Sequence, residues 1–286
     1  MSMPLPSCIS TKLEALSDPN LSLSYYKWCD IYEINGGNVK MGQTGDFLRQ
    51  MVSFSGKSEY ADAFKVRKES LKDLGQHFPL TTSSRLLCGI GYSSATEIGF
   101  MFDWTTGLPI IPGSSLKGVA LSAAKLVLKG ELEIENLSLS CKDVVEIFGA
   151  QKLDKEERKD AALKCLDADD KSIGASAGEV VFLPAYPEVE NKKGFLELDV
   201  MTPHYSPYYS DKKGNTPPAD WFAPVPHLFL TVPAGIKYHF HLLFRKNLYD
   251  TTSGLLTKAE QILKYALTNF GAGAKTNVGY GLFEQI

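Results

Sequence analysis

Two glycine-rich segments hold the residues of this chain that are best suited to chemistry. The first runs from Gly107 to Gly118 (GLPIIPGSSLKG) and the second from Phe270 to Gly281 (FGAGAKTNVGYG). Glycine lets a backbone approach a ligand closely, while amide N–H groups and hydroxyls donate hydrogen bonds to phosphate oxygens. Both segments are therefore suited to contact with a phosphate-bearing ligand.

In the first segment, Gly113, Ser114 and Ser115 stand at the start of a predicted helix. The free N–H groups of a helix start, together with two hydroxyls, suit a phosphate. Lys117 falls in the first turn, where the helix dipole disfavours a cation, and no acidic residue in that turn offsets it. A bound anion explains this arrangement, but so does an exposed lysine that is simply tolerated, because the dipole effect is only about 0.3–1 kcal/mol.

Neither segment matches the common nucleotide-binding motifs. Gly113 is followed by serine instead of the lysine of a P-loop, and Ala274 precedes Lys275 where a P-loop needs glycine. The dinucleotide-binding pattern fails because position 276 is threonine. The second segment still suits a polymer, with Lys275 for phosphate and Thr276 and Asn277 for hydrogen bonds. An ordinary helix end followed by a turn explains it equally well.

The elements that must position these segments follow a regular order. Helical spacing through Phe78, with Pro79 as the stop, predicts that residues 1–80 are mainly helical. From residue 84 the order is strand, helix, strand, excursion, strand, helix and strand, which is the split βαβ order of the ferredoxin-like α+β fold. The spacing predicts helices at about 115–129 and 254–269, and strands at 85–91, 96–104, 179–185, 195–201, 227–232, 236–245 and 279–286.

Composition excludes several classes of protein. The 286 residues suffice for one large domain or two small ones. A net charge of −3, with only 5 arginines among 30 basic residues, argues against a basic nucleic-acid binder that reads base edges. No run approaches the ~20 apolar residues that span a membrane, and no signal peptide is predicted. Five scattered cysteines without a CxxC pair predict reduced thiols and a cytoplasmic location.

Two further stretches differ in amino-acid composition from the remainder of the chain. Residues 131–185 carry 13 acidic and 7 basic side chains, so we expect this segment to face away from any bound anion. Within it, residues 154–171 are predicted to be a solvated helix or a mobile loop. The proline-rich excursion at residues 202–226 interleaves aromatic side chains with lysines, which either stack on single-stranded RNA or pack on protein.

Three histidines raise the question of catalysis or metal binding. His204 is suited to act as the general base of a metal-independent ribonuclease, but spacing fixes no second acid or base, so RNA contact or a structural role is favoured. His239 and His241 alternate along one predicted strand face. Two ordinary strand histidines are favoured over a metal site there, because no third ligand is indicated.

Together, the two glycine-rich segments resemble the RAMP superfamily of CRISPR proteins. Motifs between them, in the same order, sharpen the resemblance to one family, the sixth subunit of the Cmr (type III-B) effector complex. These motifs are Ile147–Gly149, Gly178–Pro187, Asp199–Tyr205 and Pro217–Trp221, and the resemblance covers about residues 85–286.

The resemblance implies a modified ferredoxin-like (RRM-like) RAMP domain at residues 81–286, with insertions at about 131–176 and 202–226, behind a helical extension at residues 1–80. It also implies a non-catalytic, guide-RNA-binding backbone subunit near the guide 3′ end of a cytoplasmic antiviral ribonucleoprotein. The expected partners are guide RNA, target RNA and other Cmr subunits, with no membrane, cofactor or metal. The alternative is a metal-independent endoribonuclease of the same fold that processes guide RNA.

The residues expected to contact RNA lie in the two glycine-rich segments and around His204. They are Gly113, Ser114, Ser115, Lys117, Gly271, Gly273, Lys275, Thr276, Asn277, His204 and Tyr205. We expect the two segments to lie close together at one edge of the sheet. Replacing Lys117 or Lys275 by alanine should then weaken binding to every guide sequence, because phosphate contacts carry no sequence information.

Overall fold

The computed structural model describes residues 20–285, apart from positions 28, 30, 36–37, 42–43, 56–57, 171–173, 191–193 and 252. The α-helices of this part of the chain are α1 (Leu21–Tyr26), α2 (Thr44–Phe54), α3 (Ser58–Leu71), α4 (Gly113–Lys129), α5 (Cys141–Phe148), α6 (Ser206–Ser210) and α7 (Gly254–Asn269). The strands are β1 (Tyr32–Asn35), β2 (Asn38–Met41), β3 (Gln76–Thr82), β4 (Val180–Phe182), β5 (Tyr186–Pro187), β6 (Glu197–Met201), β7 (His227–Thr231), β8 (Lys237–Phe244) and β9 (Phe283–Glu284).

An antiparallel sheet in the order β4–β8–β3–β9 forms the centre of the molecule, and β5 also pairs with β8. From β3 onward, with α5, α6, the short β5 and the β6–β7 pair set aside, the order is β3, α4, β4, β8, α7 and β9. Helices α4 and α7 contact each other on one face of the sheet. On this face the ring centroid of Phe283 lies 6.0 Å from that of Tyr238 and 5.6 Å from that of Phe240. The α+β architecture predicted from the sequence is confirmed.

The opposite face of the sheet is partly covered by α3 and carries three histidines. The ring centroid of His77 on β3 lies 4.9 Å from that of His239 and 4.5 Å from that of His241, both on β8. Phe64 of α3 packs on His239 with centroids 4.9 Å apart. Free-standing RRM domains hold RNA on an open sheet face. In this chain Phe64 covers the β8 part of that face, where His239 and His241 are buried, whereas His77 and Pro79 on β3 stay exposed.

Strands β6 and β7 form a separate antiparallel ribbon, and the excursion at residues 202–226 is its tip. An ion pair ties the base of the ribbon to the domain, with Arg85 Nε 2.5 Å from Glu197 Oε1. At the tip, Tyr209 is 75% exposed and Trp221 is 80% exposed. These two rings are therefore largely open to solvent, with edge contacts to the adjacent rings of Tyr208 and Phe222.

The predicted helical run through Phe78 is wrong at its end. Helix α3 ends at Leu71, and Phe78 lies in β3, where buried positions alternate with more exposed ones. Over this short stretch the apolar residues fit both the 3.6-residue period of a helix and the two-residue period of a strand. Apolar spacing alone therefore did not distinguish the two. Pro79 is tolerated within the strand because β9 pairs only with Thr81 and Thr82, which leaves no neighbouring strand on that edge beside the proline.

The N-terminal segment is also less uniform than predicted. The hairpin of β1 and β2 interrupts its helices, and the domain boundary predicted at residue 80 falls inside β3. Residues 1–19 of the predicted extension lie outside the described part of the chain.

The strands predicted at residues 85–91 and 96–104 are absent from the structure. Only the isolated bridges Leu86 to Val232 and Phe102 to Pro109 occur there. The buried backbone is satisfied in other ways, because Met101 N–H donates to Cys88 C=O at 2.8 Å. Apolar runs of this length are buried here as irregular loops.

The segment predicted as solvated or mobile, residues 154–171, is partly core. Short 3₁₀ turns at Glu157–Lys159 and Ala161–Leu166 bring Leu163 and Leu166 into complete burial. A disulfide joins Cys141 and Cys165, whose Cα atoms lie 6.3 Å apart, so the expectation of reduced cysteines is wrong for this pair. The apolar positions of a strongly charged stretch fold it onto α5.

No helix in the described part of the chain has the length and apolar character needed to cross a membrane.

Candidate nucleic-acid interface

The two glycine-rich segments meet at one cavity of about 640 Å³, here called the glycine cavity. The start of α4 forms one wall, the loop after α7 forms a second, and the turn at residues 88–92 forms a third. The lining residues are Cys88, Gly89, Ile90, Gly91, Tyr92, Met101, Pro112, Ser114, Ser115, Val119, Ser122, Phe270, Gly271, Ala272, Gly273, Ala274 and Thr276. The structure thus brings together two segments that are far apart in sequence.

The wall made by α4 presents an uncapped helix start. Pro112 is the N-cap residue, so no side chain caps the helix, and its first turn contains no acidic residue. Ser114 and Ser115 are exposed at this end. Gly113 does not line the cavity but fits against β4, since a Cβ there would lie 2.0 Å from Phe182 C=O. Two hydroxyls and the positive end of a 17-residue helix therefore face the cavity, while Ser115 N–H already donates to Pro112 C=O at 3.0 Å.

The wall made by the second segment is a tightly held loop. Gly271 and Gly273 have φ angles of 77° and 90°, which favour glycine. Ala272 N–H donates to Gly281 C=O at 2.9 Å, and Ala274 N–H donates to Leu87 C=O at 2.7 Å. These bonds fix the loop to the third wall and hold its backbone in one shape.

Charged side chains are absent from the lining of the glycine cavity, as far as the chain is described. Lys117 does not line it, and burial, followed by the nearby Arg245 guanidinium, lowers the pKa of its ammonium. Lys275 Nζ lies 5.9 Å from the ring centroids of both Phe229 and Tyr280, outside the lining. The cavity therefore offers neutral donors and a helix dipole instead of the two predicted lysines.

The remaining predicted residues are divided between the loop and the ribbon tip. Thr276 lines the glycine cavity, whereas Asn277 is exposed beyond it. His204 and Tyr205 lie on the ribbon tip and do not line this cavity. The hydroxyl of Tyr205 donates to Asp220 Oδ1 at 3.0 Å.

The carboxylate of Asp199, the nearest acid considered beside His204, has other partners. Arg85 Nη1 lies 3.2 Å from Asp199 Oδ2, and the Tyr280 hydroxyl donates to the same oxygen at 2.6 Å. This carboxylate therefore holds the ribbon to the C-terminal strand region.

Sequence reasoning missed the third wall of the cavity. Gly89 has a φ angle of 83°, and a Cβ there would lie 2.8 Å from Met101 N. The Gly-Ile-Gly ending of residues 89–91 was the available signal. Burial raises the pKa of the Cys88 thiol to about 12, so this lining group stays protonated at neutral pH.

Comparison with known proteins identifies the family to which this chain belongs. The model of the RAMP superfamily matches residues 79–284, which is most of the chain. The chain belongs to the RAMP superfamily. Both walls of the glycine cavity that the sequence indicated lie inside the matched RAMP region, as does the β6–β7 ribbon.

Individual RAMP proteins narrow the similarity. The chain is 35% identical over 233 residues to CRISPR system Cmr subunit Cmr6 of Pyrococcus furiosus, covering 70% of this chain and 65% of that protein. It is 28% identical over 230 residues to CRISPR system CMR subunit Cmr6 of Saccharolobus solfataricus, covering 79% of this chain and 63% of that protein. The match thus spans just under two thirds of the length of both relatives.

One solved structure is similar in both sequence and fold. A chain of the cryo-EM structure of the type III-B Cmr-beta complex bound to cognate target RNA has 25% identity and a TM-score of 0.51. The match covers 88% of this chain and 76% of that one. The resemblance inferred from the motifs, to the RAMP superfamily and to the sixth Cmr subunit, is confirmed.

The three histidines on the sheet face beneath α3 form a separate cluster. His77 Nε2 lies 2.7 Å from His239 Nδ1, and Glu188 Oε2 lies 3.4 Å from His239 Nε2. No group of three or more His, Cys, Asp or Glu side chains within the described ranges is arranged to hold a metal ion. His239 and His241 share one strand face, as predicted, and the cluster fills the space under α3.

Proposed function

We propose that this RAMP protein is a non-catalytic, guide-RNA-binding backbone subunit of a type III-B CRISPR (Cmr) ribonucleoprotein. On this proposal its modified ferredoxin-like domain lies near the 3′ end of the guide and supports capture of complementary target RNA in antiviral defence. Its partners are guide RNA, target RNA and other Cmr subunits in the cytoplasm. The Cmr6 relatives and the similar chain from an RNA-bound Cmr complex support this assignment.

The glycine cavity is the observation that carries the proposal. It joins an uncapped helix start to a fixed glycine loop, and its donors are backbone N–H groups and hydroxyls. Such donors suit phosphate oxygens of any sequence, because every nucleotide presents the same phosphate. A subunit that holds guides of many sequences needs this kind of contact.

Charge placement supports the same orientation. Lys125 Nζ lies 2.6 Å from Glu157 Oε1, and Lys129 Nζ lies 3.7 Å from Asp160 Oδ2, so the acidic segment is docked on the C-terminal half of α4. At a rise of 1.5 Å per residue, Lys125 is about 15 Å along the helix axis from Ser115. The acidic segment thus lies toward the far end of α4 from the cavity, where it repels RNA least.

The surroundings of His204 favour a binding subunit over the endoribonuclease alternative. Its side chain is exposed on the ribbon tip, and the Asp199 carboxylate is engaged by Arg85 and Tyr280. General acid–base catalysis needs groups held within hydrogen-bond reach of the reacting atoms. Incubating the chain, alone and in its complex, with labelled guide and target RNA tests this point. Cleavage that His204→Ala abolishes would replace the proposal with the endoribonuclease.

The variant Ser115→Glu separates phosphate binding from folding. A carboxylate in the first turn stabilises a helix by about 0.3–1 kcal/mol, so the thermal melt should stay the same or rise slightly. The same carboxylate repels phosphate, so affinity for single-stranded RNA should fall.

A matched control is Thr257→Glu in the first turn of α7, which also lacks a capping side chain and acidic residues. Thr257 does not line the glycine cavity, so this variant should gain helix stability without losing RNA affinity. Lys117→Ala, also outside the cavity, should affect RNA binding less than Ser115→Glu. Wild-type RNA affinity in Ser115→Glu, measured on the full chain and the assembled complex, would contradict the proposal.

A further inference from the structure

A second cavity of about 400 Å³, here called the aromatic cavity, adjoins the glycine cavity. The two share Tyr92 and Met101 as lining residues, so they meet at the turn that forms the third wall. The other lining residues are Tyr26, Lys27, Ser93, Phe102 and Trp104. Its volume lies within the range of about 300–1,000 Å³ that is typical of sites for small organic groups.

Two exposed aromatic rings border this cavity on rigid backbone. Trp104 and Tyr92 are each 54% exposed. Asn20 Nδ2 donates to the carbonyl oxygens of Trp104 and Thr105 at 3.3 and 3.0 Å. The carboxylate of Asp103 also accepts from Thr105 N–H at 3.0 Å, so the turn that carries the indole is held from both sides. The indole is therefore preorganised as a platform and still half open to solvent.

The polar groups of the cavity are donors. Lys27 Nζ lies 5.9 Å from the Trp104 ring centroid, and the Tyr26 ring centroid lies 5.6 Å from it on the inner side. Ser93 adds a hydroxyl at the rim, and no acidic side chain lines the aromatic cavity in the part of the chain that the structure describes. A flat ring system that carries acceptor atoms and belongs to an anionic chain fits this arrangement.

We propose that the aromatic cavity takes one unpaired nucleobase of the RNA whose backbone lies in the glycine cavity. The base stacks on Trp104 and Tyr92, with Lys27 and Ser93 at its polar edge. Because every base has a stacking face, this site accepts any sequence, as a guide-binding subunit requires. The inference rests on the proposed function, since the neighbouring phosphates bring the base to the cavity.

The test compares intact RNA with RNA that lacks single bases. The probes are single-stranded oligoribonucleotides of one length, intact or with one abasic site at successive positions, bound to the full chain at low salt. One probe carries the fluorescent base 2-aminopurine at the position where the abasic site weakens binding most. The variants are Trp104→Ala, Trp104→Phe and, as a control, Tyr249→Ala, which removes a ring that is 71% exposed and lines neither cavity.

We expect Trp104→Ala to weaken binding of intact RNA by about 5- to 150-fold, the usual effect of losing one stacked base. It should not change binding of the RNA with the most damaging abasic site, because that RNA has no base to stack. Trp104→Phe should restore much of the affinity, and the quenching of 2-aminopurine fluorescence on binding should disappear in Trp104→Ala. Thermal melts should stay unchanged, because the turn is held by Asn20 and Asp103.

Two results would overturn the nucleobase site and leave the proposed function standing. In one, intact and abasic RNA bind equally well and Trp104→Ala changes neither. In the other, Trp104→Ala leaves RNA affinity intact but releases a neighbouring subunit from the assembled complex, which would assign the cavity to a protein contact. Two other results would overturn the proposed function together with this site. In one, the Ser115→Glu variant binds intact and abasic RNA as tightly as the wild type does. In the other, the wild-type complex binds neither RNA.

Discussion

The histidine cluster beneath α3 predicts that mild acid destabilises this protein well above the range in which carboxyl groups titrate. Burial lowers the pKa of His239 to about 4 and that of His241 to about 3. The neighbouring His77 and Arg67 lower the pKa of His241 further, whereas Glu188 opposes the shift at His239. Both imidazoles are therefore neutral in the folded protein at pH 5.5, although they are mostly charged in the unfolded chain.

The magnitude follows from the two sets of pKa values. An unfolded imidazole with a pKa near 6.5 goes from about one tenth to about nine tenths protonated between pH 7.5 and 5.5. Because the folded imidazoles bind almost no protons over this interval, the free energy of unfolding falls as the pH falls. Each histidine removes about 1.35 kcal/mol, so the two together remove about 2.7 kcal/mol. This is a large part of the roughly 5–15 kcal/mol that is typical of folded domains.

Carboxyl groups do not obscure this effect. Hydrogen bonds and the partner Lys258 lower the pKa of Asp143 to about 2 against the cost of its burial, and Lys237 and His239 similarly lower the pKa of Glu188. A carboxyl group whose pKa is lowered by folding stabilises the folded state at pH values above its pKa in the unfolded chain. This stabilisation is lost only as the pH falls below about 4–4.5. The interval from pH 7.5 to 5.5 therefore reports mainly on the histidines.

Urea denaturation of the full chain at pH 7.5, 6.5 and 5.5, at constant ionic strength, measures the prediction. The double variant His239→Gln, His241→Gln should lose most of the pH dependence, whatever its stability at pH 7.5. The control His204→Gln replaces an exposed histidine and should keep all of it. A free energy of unfolding that stays constant from pH 7.5 to 5.5 in the wild type, or a double variant with the full dependence, would refute the burial argument.

Two other predictions concern the framework of the site. Gly281→Ala should lower the free energy of unfolding by at least about 2 kcal/mol, because its Cβ would lie 1.9 Å from Ala272 C=O at a φ angle of 76°. Gly279→Ala, with a φ angle of 93° but open space around it, should cost less in the same urea titration, and equal losses would exclude the clash as the cause. Cys165→Ser should lower the stability by about 3 kcal/mol under oxidising conditions and have little effect with reductant present, as thermal melts in both buffers would show.

The parts of the fold that the sequence predicted well are those with long amphipathic periods. Helices α4 and α7 occur close to their predicted bounds, because their apolar residues keep a 3.6-residue spacing over about four turns. Strands β7 and β8 were also found, on either side of the turn at Pro233–Gly235. The prediction failed for short elements where helical and strand spacing fit the apolar residues equally well, as at Phe78 in β3.

The sequence predicted the two glycine-rich walls of the site. It did not predict that the charged side chains lie outside the site. Lys117 is two positions after Ser115, and about 100° of rotation per residue carries it about 200° around the helix, away from the cavity wall. Helix geometry alone thus indicated that Ser115 and Lys117 do not share a surface. The contribution of Gly89 and Tyr92 depends on how two irregular loops fold together, and no periodicity in the sequence encodes that.

The partly covered sheet face and the neutral glycine cavity both bear on how RNA would bind. Because α3 covers part of the face that open RRM sheets use, the proposed RNA path runs along the edge where α4 begins and the glycine loop ends. A path lined by N–H groups and hydroxyls gains orientation from hydrogen bonds but releases few counterions, so the chain alone should bind weakly. On the proposed function, the cations that strengthen RNA binding come from adjoining subunits or from lysines beyond the cavity rim. Affinity that rises steeply on assembly, with a salt slope to match, is the behaviour this arrangement requires.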